Sequence, residues 1–179
     1  MSSNQHRLEA EHALRPIRAA ILTISDTRTP ETDKSGAMIR DLLAASGHEI
    51  AHYAILPDEP HEIRGRVLEL CDSEDVEVIL TNGGTGIAPR DGTFEAIDGL
   101  LERRLPGFGE LFRMLSWEQV GAASMLSRAT AGLRGRTLLF AMPGSTNAVE
   151  LAMTRLILPE LKHLVYEMQG VREKRADKR

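Results

Sequence analysis

The chain has 179 residues, 42% of them hydrophobic but only 4% aromatic, and a net charge of −4. That length fits one domain of ~100–200 residues with an aliphatic core, and the acidic balance supplies no basic field for a nucleic-acid partner. The one cysteine, Cys71, excludes an intrachain disulfide and a cysteine metal cluster, and no apolar run reaches the ~18 residues of a membrane span, so a cytoplasmic protein without a membrane partner is expected.

Residues 1–16 are polar, lack a sustained period and read as a flexible N-terminal extension, with His6 and His12 solvated rather than metal-bound. A single α/β domain is expected over 17–169. Ala19 to Ser25 is an unbroken apolar strand, buried on both faces. Ser25, Asp26 and Thr27 close it with short oxygen-bearing side chains, which either meet a ligand at the strand's carboxyl end or make an Asx-type turn. A helix opens at Thr32 or Asp33, carries Met38, Ile39, Leu42 and Leu43, and stops at Gly47. Glu49 to Leu56 is the second strand. His48 and His52 read as surface or turn residues, with no third ligand for zinc. Two prolines then bracket two acids, Pro57-Asp58-Glu59-Pro60. These acids either cap the helix 60–73, which carries Ile63, Val67 and Leu70, or bind Mg²⁺. Cys71 shares that apolar side and reads as a buried structural thiol.

Residues 76–95 organise the chain. Val76 to Leu80 is a short buried strand, and Thr81 to Gly86 a glycine-dense turn. Asp91 or Thr93 then caps a helix beginning near Gly92, with Phe94, Ile97, Leu100 and Leu101 on one side. Gly83, Gly84 and Gly86 let the main chain take conformations closed to other residues and let a ligand approach it. Successive N–H groups there can form an anion nest, although a turn without a ligand fits the same residues. The turn is no Walker A loop, and Pro89 stands where a dinucleotide fingerprint needs Gly or Ala. Arg90 reads either as a phosphate contact or as a solvated charge. If strands two and three end at one crevice, Asp58 and Asp91 face one ligand from opposite sides.

Residues 106–126 mix helical periodicity with glycines and hold three of the seven aromatics, Phe108, Phe112 and Trp117. Core packing and a subunit interface both account for them. Arg128 to Leu133 and Arg136 to Met142 read as two strands around Arg134-Gly135. Pro143-Gly144-Ser145 follows, and Ser145 caps a long amphipathic helix from Val149 to Val165 that Pro159 should kink or break. Residues 170–179 form a basic, solvated tail.

Five ordered motifs resemble one family. TNGGTG with Asp91 and Thr93 after it, PDEP at 57–60, GFGELFRMLSWEQVG at 107–121, MLSRATAG at 125–132 and PGS at 143–145 are together similar to the MoaB/MogA proteins of molybdenum cofactor biosynthesis, the molybdopterin adenylyltransferase type. The likeness spans residues 17–168 and leans to the MoaB branch. It implies a three-layer α/β sandwich with a mainly parallel sheet. It also implies Mg²⁺- and ATP-dependent adenylylation of molybdopterin with release of pyrophosphate. Carried over by residue, Asp58 and Asp91 are the catalytic and metal-binding acids. Gly83, Gly84, Thr85 and Gly86 are the phosphate loop, with Arg90 beside them. Ser25 and Asp26 line the nucleotide side, and Pro143, Gly144 and Ser145 lie near the pterin phosphate. A homotrimer or homohexamer is implied too. Asn82 and Gly92 depart from the family pattern. A non-catalytic molybdopterin binder and a pyrophosphatase of the competence-damage-inducible type are the alternatives, the latter weakened because only Asp91 follows the loop.

Overall fold

A helix between successive strands returns the chain to the same edge of a sheet, and the strands so joined run parallel. The computed structural model describes residues 15–88 and 91–176, with side chains as far as Met168. The expected N-terminal extension therefore lies almost wholly outside the described residues, as do its two histidines and the last residues of the basic tail. In chain order come β1 (Arg18–Ile24), α1 (Lys34–Ala45), β2 (Glu49–Leu56), α2 (Pro60–Asp72), β3 (Val78–Asn82), α3 (Thr93–Asp98), β4 (Arg103–Arg104) and α4 (Pro106–Val120). A 3₁₀ segment (Gly121–Leu126), β5 (Thr130–Arg134), β6 (Thr137–Met142), α5 (Thr146–Ala152), a π-turn (Met153–Ile157) and α6 (Leu158–Ala176) follow. The six strands lie in the order β2-β1-β3-β6-β5-β4. The first four are mutually parallel, while β5 is antiparallel to both β6 and β4.

Strand alternation divides the core into two layers of contacts. Ala19, Ile21, Val78, Leu80, Leu138 and Phe140 pack against α1, α4, α5 and α6. Ala20, Leu22, Ile24, Ile79, Leu139 and Ala141 point the other way, against α2 and α3. The sheet is thus sandwiched between helices, the three-layer α/β arrangement expected, and β1 is buried on both faces as its apolar run requires. Asp33 caps α1 through the amide of Gly36, and Gly47 ends that helix at φ 74°.

Several boundaries differ from the sequence reading. β3 starts and ends two residues later, because Thr81 and Asn82 pair with β1 and β6 on either side instead of turning. β4, a two-residue edge strand, has no apolar signature. His48 is buried, not superficial: its Nδ1 accepts the amide proton of Ile17 at 3.3 Å. Burial and Lys162 together hold its imidazole below the ordinary histidine range. No break appears at Pro159: a π-turn, closed by Leu158 N–H on the Met153 carbonyl, precedes it, and α6 continues through the proline. On α4 the apolar segment divides between two faces. Phe108 and Phe112 face the core, Phe108 edge-on to Phe140 at 5.2 Å, whereas Leu111, Met114, Trp117 and Val120 form an exposed stripe.

Candidate active site

From β1 the chain moves to β2 on one side and then to β3 on the other, so the connections part between β1 and β3. A crevice opens at such a switch point, beyond the carboxyl ends of the strands. Four strands deliver the predicted residues to this rim: Ser25 after β1, Asp58 after β2, Gly83 to Gly86 after β3, and Pro143 to Ser145 after β6. The turns after β3 and β6 meet backbone to backbone. Gly83 N–H donates to the Met142 carbonyl at 3.1 Å, and a Cβ on Gly144 would lie 2.9 Å from Gly83 Cα. Gly83 sits at φ 101°, against the Ile24 carbonyl, where no side chain fits.

The two acids flank one loop. Asp58 Oδ1 accepts from Gly92 N–H at 3.4 Å and from the Thr93 hydroxyl at 3.3 Å, and a Cβ on Gly84 would come within 2.6 Å of its Oδ2. Asp91 Oδ2 accepts from Ala88 N–H at 2.8 Å, and a Cβ on Gly86 would lie 3.0 Å from its Cγ. The capping readings are thereby corrected. Glu59 is the N-cap of α2 and makes no side-chain cap bond, and Asp58 reaches across to the start of α3 instead of capping α2. Gly92 is the N-cap of α3; Asp91 folds back on Ala88, and Thr93 serves Asp58. Burial raises the Asp58 carboxyl above its ordinary range; the Gly92 and Thr93 donors oppose this, and the Asp91 and Asp26 charges add to it.

Ser25 Oγ accepts from the amides of Thr27 and Arg28, and Asp26 Oδ1 accepts from Asp58 N–H at 3.2 Å, so the end of β1 is both a local turn and a brace for the acid loop. Beside it an open groove of about 610 Å³ is lined by Ser25, Asp26, Arg28, Tyr53 and Pro57. Ser145 caps α5 through Ala148 N–H at 3.2 Å, as predicted. Arg90 lies outside the described residues.

Two features escaped the sequence reading. A buried network centres on Asp33, 2% exposed, which accepts from Thr23 at 2.5 Å, Tyr53 at 2.8 Å, Gly36 N–H at 2.9 Å and Arg28 at 3.2 Å. Burial alone would raise this carboxyl, but the donors outweigh it and hold it below the usual range. The Tyr53 hydroxyl is pushed up to about 12 by burial and by Asp33. Asn82 joins the network through Ser35 and Thr23, and Arg28 carries it to the Gly144 carbonyl at 2.9 Å. The second feature is Arg128, which precedes β5 instead of opening it. Its guanidinium donates to the carbonyls of Thr85 (3.0 Å), Gly86 and Asp91 (3.2 Å), pairs with Glu95, and lies 5.1 Å above the Phe94 ring. A charged residue beside an apolar strand was the one available signal.

No set of three His, Cys, Asp or Glu side chains among the described residues is placed to hold a metal. Two carboxylates beside a phosphate-sized loop nevertheless suit Mg²⁺, which binds through one or two acids together with substrate phosphates and water.

The model of the probable molybdopterin binding domain matches residues 20–163. The chain belongs to the MoaB/MogA family of molybdenum cofactor biosynthesis proteins. Molybdenum cofactor biosynthesis protein B of Halalkalibacterium halodurans is 53% identical over 169 residues, covering 94% of this chain and 98% of the relative. A crystal structure of a molybdenum cofactor biosynthesis protein B superposes with a TM-score of 0.86 at 51% identity, over 89% of this chain and 99% of the other. The tungsten cofactor synthesizing protein MoaB from Pyrococcus furiosus gives 0.78 at 36% identity, over 87% and 99%. The MoaB/MogA fold thus accounts for nearly the whole described chain, including both glycine turns and the acids beside them.

Proposed function

We propose that the protein transfers AMP from Mg-ATP to the phosphate monoester of molybdopterin and releases pyrophosphate. One observation carries the reading: Asp58 and Asp91 bracket a glycine turn at the switch point of a parallel sheet. In this reaction a phosphate oxygen of the pterin forms a bond to the α-phosphorus of ATP, and the bond to the β-phosphate oxygen breaks. Two anions must approach, so the site needs donors rather than a side-chain nucleophile. With Gly83 N–H held by the Met142 carbonyl, the following amides of the loop, Gly84 to Gly86, can face phosphate oxygens, with no side chain in the way at Gly84 or Gly86. The groove by Ser25 and Asp26 has the size of a nucleoside subsite. Asp58 and Asp91 would hold Mg²⁺, which supplies charge neutralisation for the departing pyrophosphate. The carboxyl of Asp58, raised chiefly by burial and further by the charges of Asp91 and Asp26, supports a site that a cation would relieve.

Pyrophosphate release from purified protein, molybdopterin and Mg-ATP tests the proposal. Turnover is expected, with an Asp91→Asn loss of about 10²–10³-fold. Absence of turnover with molybdopterin still bound would move the protein to the non-catalytic binder reading. We also propose a homotrimer or homohexamer in the cytoplasm, supported by the exposed stripe of Leu111, Met114, Trp117 and Val120. A monomer in sedimentation at micromolar concentration would contradict the assembly.

A further inference from the structure

We propose that Arg128 is the positioning residue of the glycine loop: it gathers the carbonyls of Thr85, Gly86 and Asp91 behind the loop and so aims the loop's amides at the ligand. A trans peptide unit points its C=O and the following N–H in opposite directions. Drawing the Thr85 carbonyl to Arg128 turns Gly86 N–H away from it, and drawing the Gly86 carbonyl turns Ile87 N–H away. Neither amide donates to a described residue. The third carbonyl gives an internal check, because Asp91 O accepts from Arg128 and Gly92 N–H duly faces the other way, toward Asp58 Oδ1. One guanidinium thus sets the direction of two amides and of a bond to the acid. Without that fork, each peptide unit could flip, since glycine imposes no preference.

The grip is itself held. Phe94 lies beneath the guanidinium and Glu95 pairs with Nη1, so four of the five Arg128 N–H groups are engaged within the protein. A planar fork with several fixed donors can span three carbonyls, whereas a lysine ammonium concentrates its charge at one point. Arg128 therefore acts through geometry as well as charge. In its bearing on catalysis this inference rests on the adenylylation reading, but its effect on the loop does not.

Arg128→Lys and Arg128→Gln, compared with wild type, test it. Amide hydrogen exchange at Ala88 and Gly92, whose N–H groups are bonded to Asp91 and Asp58, should rise about tenfold in both variants, while exchange in β1 and β6 stays unchanged. If wild type turns over, kcat should fall about tenfold or more in both, and Lys should fail to rescue Gln. A Lys variant with wild-type exchange would overturn the inference, as would one with wild-type kcat in an active enzyme. If wild type shows no turnover, the adenylylation reading falls while the exchange result still decides the role of Arg128. Should both variants misfold, Phe94→Leu removes the supporting ring and leaves the carbonyls in place. It should raise exchange at Ala88 and Gly92 about threefold; unchanged exchange would count against the grip.

Discussion

Asp33 and Asp58 lie at the same rim of the sheet, yet their surroundings are opposite. Asp33 is buried among donors from Thr23, Tyr53, Gly36 and Arg28, and its carboxyl is held below its ordinary range. Asp58 has two long hydrogen bonds, two acidic neighbours and a raised carboxyl. Satisfied burial makes a charge structural, because the fold itself supplies the counter-charge and the protons. Unsatisfied charge leaves work for a ligand to do. The contrast separates an anchor from a site on two residues of nearly the same chemistry.

The largest expected effect breaks the comparison on the side of activity. Asp58→Asn should lower pyrophosphate release about 10²–10³-fold without lowering Tm, since Asn keeps an acceptor for Gly92 and removes the repulsion with Asp91 and Asp26. A marked fall in Tm would make Asp58 a second anchor instead. Next comes Asp33→Asn, which places an amide among donors and strips Arg28 of its carboxylate partner. Urea unfolding should show a loss of about 2–4 kcal/mol. A change below the error of the measurement would remove Asp33 from its structural role.

The smallest effect is one of pH. Unfolded Asp33 binds protons at higher pH than folded Asp33 does, so its contribution is complete above the ordinary carboxylate range, about 3.9. It disappears as pH falls through the lowered folded value. Asp58 has the reverse sign: its folded form keeps the proton longer, so stability declines as pH rises from the ordinary range through the raised value. Urea midpoints measured across the acid range should therefore lose a rising limb in Asp33→Asn and a falling one in Asp58→Asn. Parallel curves for the two variants would erase the distinction.

Most of this architecture is written locally. The apolar run of β1, Asp33 as a cap, Gly47 as a stop and Ser145 at the head of α5 each follow from a few adjacent residues. The glycine turns and both acids were legible as residues worth noticing, and parallel strands bring them to one rim. What escaped depends on partners far along the chain. Thr81 and Asn82 look like turn residues until Phe140, Ser35 and Thr23 satisfy their side chains inside the sheet. Asp58 looks like the cap of its own helix until α3 arrives with Gly92 and Thr93. Arg128 reads as the first residue of a strand because its hydrogen-bond partners lie 33 to 43 residues upstream.

The contact between Gly83 and Gly144 has a practical consequence for redesign. Two main chains touch there with no side chain between them, so the spacing of the two turns is fixed by the backbone alone. Libraries that vary Thr85, Ile87 or Thr146 can therefore explore new specificities on a ruler of constant length. A library that opens Gly83 or Gly144 discards the ruler, and its members would have to be sorted for folding before any is screened for a new substrate.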